Sequence, residues 1–210
     1  MKKIRLLGAV WACVLAFIAT NVNSALIVDT GPAPVGSSSW TLSPGQYLAA
    51  EFSINSKATI TDIEGWMRNT VQNRKGIIAI YSDRGDVPST EELFSATFFG
   101  NGSSVDSWVG LNGLSWLLDA GTYWVSFESR FGSQELFGTS MPYSSLNPSV
   151  NEAFRATDAA GDLYPWQSYD MGIGVRISGD VTAVPIPAAA WLFGTGLVGL
   201  LAMARRKRAV

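Results

Sequence analysis

The chain has 210 residues, 47% of them hydrophobic, with no histidine, one cysteine and a formal charge of −2. Without histidine there is no Ser-His-Asp triad and no His-ligated zinc, and a lone thiol cannot close a disulfide within the chain. The small net charge hides an asymmetry, since all 17 acids lie in residues 25–183 with only eight of the 15 cations, which gives that segment −9. Such a segment repels nucleic acid and anionic lipid, and neither is expected as a partner.

Residues 1–24 have the three parts of a secretory signal peptide. Lys2, Lys3 and Arg5 form the basic end, Leu6 to Thr20 the apolar middle, and Val22-Asn23-Ser24 the site for signal peptidase. The cut is placed after Ser24, with Ala25 as the alternative. Cys13 lies inside the apolar middle, so the mature protein has no thiol and depends on packing or on bound metal.

Residues 25–183, about 160 in all, suit one domain with a proper core. After Leu26-Ile27-Val28, the Gly/Pro/Ser stretch from Gly31 to Ser39 reads as loop. Strands are expected over Gly45–Ile54, Lys57–Met67, Lys75–Ser82 and Leu93–Phe99, then Trp108–Trp116 around a glycine-rich bend. Gly121–Glu128 alternates clearly, with Tyr123, Val125 and Phe127 on one face and Trp124, Ser126 and Glu128 on the other. Phe131 to Tyr169 reads as loop-rich, and Gly172–Val181 closes the domain with Ile173, Val175 and Ile177 alternating. Eight to ten strands at this spacing predict an all-β fold, an antiparallel two-sheet sandwich of jelly-roll type. The run Ala79-Ile80-Tyr81-Ser82-Asp83 with Gly85 and Pro88, followed by Leu117-Leu118 and Ala120-Gly121-Thr122-Tyr123-Trp124-Val125, resembles β-sandwich modules of secreted bacterial proteins. Modules of that kind often sit beside carbohydrate-related or surface domains.

Three constellations carry chemistry. Asp83, Asp86 and Glu91, with Glu92, surround the loop after the expected central strand, and oxygen-rich loops suit calcium. The spacing is not that of an EF-hand, because Gly85 occupies a ligand position, and a solvated turn is the favoured account. Calcium is the one candidate ligand ion, and no cofactor is expected. Tyr164, Trp166 and Tyr169, in Tyr164-Pro165-Trp166-Gln167-Ser168-Tyr169, are the candidate sugar-contacting residues, with Asp162 and Asp170 as nearby hydrogen-bonding groups. Trp124 and Trp108 read as core. A carboxylate pair for glycoside hydrolysis cannot be singled out among 17 acids, so an enzyme is not expected. Arg84-Gly85-Asp86 and Gly194-x-Gly196-x-x-Gly199 are short matches without the context that would give them meaning.

Residues 184–210 form the last element. The uncharged run from Val184 to Ala204 has 21 residues, which as a transmembrane helix spans roughly 30 Å. Arg205, Arg206, Lys207 and Arg208 follow at once and should stay cytoplasmic. The order Val184-Pro185-Ile186-Pro187, then Ala188-Ala189-Ala190-Trp191-Leu192-Phe193-Gly194, an apolar run and Arg205-Arg206-Lys207 resembles the PEP-CTERM sorting signal. One position departs from it, since Ile186 stands where the family has its namesake glutamate. The resemblance implies transient anchoring in the inner membrane and recognition by an exosortase, a membrane-embedded cysteine transpeptidase-like enzyme. It further implies delivery to the cell surface or extracellular matrix of a Gram-negative, exopolysaccharide-making bacterium. A structural or adhesive protein of a biofilm, with extracellular polysaccharide as partner, is the expected role.

Overall fold

The computed structural model describes residues 24–34, 37–132, 136, 138–143 and 150–181. The body of the leader and the sorting tail lie outside the described residues, including Val184, Pro185, Ile186, Pro187, Trp191, Arg205, Arg206 and Lys207. Among the described residues there are 13 strands and no helix. They form two antiparallel sheets that pack as a β-sandwich.

Sheet A contains β1 (Ser24–Asp29), β13 (Val175–Val181), β4 (Ala58–Asn69), β10 (Thr139–Pro142) and β2 (Ser39–Leu42) in that order. β7 (Ser103–Leu111) and β8 (Trp116–Leu118) pair with the opposite edge of β4. Sheet B runs β12 (Gln167–Ser168), β11 (Glu152–Ala156), β3 (Gln46–Ile54), β9 (Gly121–Ser129), β5 (Lys75–Asp83) and β6 (Pro88–Phe99).

Period-2 patterning decides which side chains meet between the sheets. Leu48, Ala50, Phe52 and Ile54 of β3, Ile78 and Ile80 of β5, and Val125 and Phe127 of β9 join Ile60, Ile63, Met67, Val175 and Ile177 of sheet A. β4 keeps its apolar residues inward only through a slip of one residue. Gly179 pairs with Ile60 and Ser178 with Asp62, so Thr61 is extra and the inward phase passes from Ala58 and Ile60 to Ile63 and Met67. Ser24 pairs with Asp180, which puts the entry to the domain and its exit side by side at one end of sheet A.

Two parts of the expected layout change. The segment read as loop-rich holds β10, β11 and β12, and β2 extends from the Gly/Pro/Ser stretch. β11 is short and carries Glu152 and Arg155, both buried, so its apolar content is too low to announce a strand. Trp108 is half-buried on the outer side of sheet A against Trp66, rather than in the core.

Candidate functional site

Sheet B buries its inner face in the core and part of its outer face as well. Its outer face carries a second cluster made of Tyr47, Ala49, Ala79, Tyr81, Trp124, Ala153 and Trp166. Register explains its shape. Ala153, Ala49, Ser126 and Ala79 pair in turn across four strands, a row of small side chains. One flanking row is Arg155, Tyr47, Glu128 and Ile77, and the other is Glu51, Trp124 and Tyr81. The small row is thus the floor of a trough between two walls of large residues. The Trp166 ring lies 6.3 Å from Tyr47 and 5.8 Å from Tyr81, residues on opposite walls, so it bridges the trough.

A buried polar network runs along this face. Tyr81 donates its hydroxyl proton to Glu128 Oε1 at 2.7 Å, and Ser126 Oγ donates to the same oxygen at 2.5 Å. Arg130 Nε donates to Glu128 Oε2 at 2.5 Å, while Arg130 Nη2 donates to Glu92. The fully buried Glu128 carboxylate is therefore satisfied by three side chains, as a buried charge requires. Burial, together with the Glu128 charge and hydrogen bond, pushes the Tyr81 phenol well above its ordinary value. Burial works against charge on Arg130, but Glu128 and Glu92 outweigh it and raise its pKa. Burial also pushes Glu92 up, yet hydrogen bonds from Ser95 and Arg130 and the Arg130 charge bring it below the ordinary carboxylate value.

Arg155 is placed differently. It is only 7% exposed. Its guanidinium carbon lies 4.3 Å from the Trp166 ring centre, 4.6 Å from that of Tyr47 and 5.4 Å from that of Tyr81. Nη2 donates to the Tyr81 hydroxyl at 3.0 Å, while Nε is buried without a partner. Among the described residues it forms no ion pair, and its route to a carboxylate runs through Tyr81 to Glu128. The Trp166 indole N–H is likewise buried without a partner. Three aromatic faces offset part of the cost of burying this charge.

Arg155 and Trp166 form part of the wall of a cavity of about 340 Å³, near the lower end of the roughly 300–1,000 Å³ range of ligand sites. Arg84, Thr90, Arg155, Tyr164 and Trp166 line it, and no carboxylate does. The turn after β5 supplies the opposite lip. Arg84 N donates to Val87 O at 3.1 Å, and Gly85 takes a φ of 95°, which an L side chain rarely adopts.

The segment carrying Tyr164 and Trp166 is pinned at its C-terminal end by Glu152, while Tyr164 N donates to Ala156 O at 2.8 Å at the other. The Glu152 backbone oxygen accepts from Tyr169 N at 2.9 Å. Its carboxylate accepts from Met171 N at 2.5 Å, from Ile173 N at 2.7 Å and from Gly172 N. Burial pushes the Glu152 carboxyl up, and the three backbone donors pull it down without cancelling the rise.

The sequence-derived site residues separate on the fold. Trp166 is 8% exposed and its face meets Arg155 rather than solvent. Tyr164, 55% exposed, lies at the cavity. Tyr169 is 47% exposed and belongs to another aromatic group, 5.0 Å from Trp40, which also meets Tyr143 and Phe154. Of the proposed calcium ligands, Asp83 accepts from Trp124 Nε1 at 2.8 Å. Asp83, Asp86 and Glu91 are not gathered into a metal-binding group, and no such group of three occurs among the described residues. Arg155, Glu128, Tyr81 and Glu152 were not singled out from the sequence. The one local signal is a strand-length stretch, Glu152–Ala156, with two opposite charges set among Ala and Phe.

Neither protein-family models nor curated proteins match the chain.

Proposed function

We propose that this is an exported cell-surface or extracellular-matrix protein, sorted by an exosortase and structural or adhesive in exopolysaccharide or biofilm. The sandwich is of jelly-roll type in this reading. The tail layout, Val184-Pro185-Ile186-Pro187 to Arg205-Arg206-Lys207, carries the sorting part. The fold is compatible with it. With Ser24 beside Asp180, leader and tail leave one end of sheet A, and cleavage after Ser24 leaves five of the six β1 residues in place. A domain held by that end keeps the outer face of sheet B free for a partner.

A second reading, a carbohydrate-binding module, is favoured by one observation: the cavity beside Trp166 has an exposed tyrosine at its rim and unpartnered donors in its wall. The two readings are compatible, since binding polysaccharide is how a matrix protein adheres. A third reading, a secreted glycoside-acting hydrolase, predicts turnover that is abolished by replacing one or two acids.

Intact mass and cell fraction in the native host, with and without residues 188–210, test the sorting claim. The expected product lacks both ends and is found outside the cell. A full-length protein retained in the inner membrane would contradict it, leaving a plain anchored ectodomain with Ile186 as the first residue to change to Glu.

A further inference from the structure

We infer that the cavity on the outer face of sheet B takes a carboxylated sugar, a hexuronate unit of an acidic polysaccharide, with Arg155 and Arg84 directed to its carboxylate. This inference rests on the polysaccharide-binding reading above and names its ligand class.

Charge segregation is the first support. The exported segment has 17 acids and eight cations, yet two of those cations line this one cavity and no acid does. In a domain of −9, this lining is a local exception that favours an anion at the cavity against the repulsion of the domain as a whole. The second support is Arg155 itself. Surface arginines are hydrated and need no partner, whereas this one is 7% exposed, has no ion pair among the described residues and leaves Nε unbonded. Two neighbouring carboxylates, Glu128 and Glu92, are already bound by Arg130. An anion entering the cavity would supply the charge that the fold withholds. A planar guanidinium matches a carboxylate in two parallel hydrogen bonds, which favours that anion over a halide.

The rim identifies the rest of the ligand. Tyr164 is 55% exposed and Leu163 is 49% exposed, beside Pro165, so an apolar, partly aromatic lip stands over a cationic wall. The C–H face of a pyranose can rest on such a lip while its carboxylate reaches the arginines, and Thr90 adds a hydroxyl for a ring oxygen substituent.

The test is calorimetric titration of the full chain, in nonionic detergent, with polygalacturonate and with the same polymer after carboxyl reduction. Saturable binding of polygalacturonate is expected, at least about tenfold tighter than that of the reduced polymer, as loss of a charged hydrogen-bond acceptor predicts. Arg155→Met should weaken it at least about tenfold, and added salt should weaken it further. Arg84→Gln alters an exposed turn residue that carries no part of the core, so it keeps the test valid whatever Arg155→Met does to folding. It should cost about threefold or more. Equal binding of the reduced polymer, unchanged in Arg84→Gln, would overturn the carboxylate inference while leaving polysaccharide binding intact. Polyglutamate binding as tightly as polygalacturonate would overturn the sugar half. No binding of either polymer, or of the host's own exopolysaccharide, by folded protein would overturn this inference and the adhesive reading together.

Discussion

The two sheets each stack an arginine on a tryptophan, and the two stacks differ in what completes them. On sheet A, the Arg176 guanidinium carbon lies 4.1 Å from the Trp108 ring centre, with Trp66 a further 5.3 Å from Trp108. Arg176 is half-buried and reaches Asp29 at 3.4 Å and Glu64 at 3.8 Å. Its charge is answered by its cross-strand neighbours on β1 and β4. On sheet B, Arg155 lies 4.3 Å from Trp166, is buried, and has no carboxylate at ion-pair distance among the described residues. The same pair of residue types therefore serves as a surface brace in one place and as an incomplete site in the other. Satisfaction of the charge, not the presence of the stack, separates them.

The largest difference should appear when the rings are removed. Trp166→Ala takes out a buried ring that bridges Tyr47 and Tyr81, and about 3–5 kcal/mol of stability should go with it in chemical denaturation. Trp108→Ala removes a ring that already half faces water and should cost only about 1–2 kcal/mol. Equal losses would erase the distinction between the faces.

Next is the pin that holds the cavity segment. Glu152→Ala strands three backbone donors at Met171, Gly172 and Ile173, and about 3 kcal/mol should be lost. Hydrogen exchange should then accelerate at Tyr164 to Ile173 before it does in β9. Uniform acceleration across both sheets would show that Glu152 holds the whole sandwich rather than this segment.

Two carboxylates of sheet B, Glu152 and Glu92, should also titrate with opposite signs. The Glu152 carboxyl is raised from its ordinary 4.5 by burial. Its contribution to stability is full below that value and declines as pH rises through the raised one. Glu92 is lowered from 4.5, by hydrogen bonds and the Arg130 charge acting against burial, so its contribution is present above 4.5 and is lost as pH falls through the lowered value. Comparing wild type with Glu152→Gln and with Glu92→Gln from pH 3 to 7, about the span over which carboxyl groups titrate, should give difference curves of opposite slope. Curves of the same slope would contradict the assignment of either environment. The smallest effect should come from Arg176→Met, within about 1 kcal/mol, as for other partly exposed ion pairs.

Much of the sandwich was legible because its strands are long and alternate. In β3 and β9, one residue in two is buried between the sheets, and the faces assigned from Tyr123, Val125 and Phe127 are those observed. β11 was not legible, since its five residues include a glutamate and an arginine that burial alone would forbid. Each is tolerated because of partners distant in the chain: backbone amides of residues 171–173 for Glu152, and rings from three other segments for Arg155. Trp166 drew notice as a flat ring in a loop, but no local pattern reveals that its face is already taken by a residue 11 positions earlier. Small residues at Ala49, Ala79, Ser126 and Ala153 were equally silent until register aligned them.

The most direct measurement is the unfolding free energy of Arg155→Met without ligand. Methionine keeps an apolar, unbranched stem but removes the guanidinium that lies over the three rings, and with it the unpaired charge. If the arginine is held for a ligand, the variant should be as stable as wild type within about 1 kcal/mol, or more stable, because replacing an uncompensated buried charge by an apolar side chain is often neutral or favourable. A loss of more than about 2 kcal/mol would show that Arg155 is a structural member of the sheet B network, and the distinction between it and Arg176 would fall.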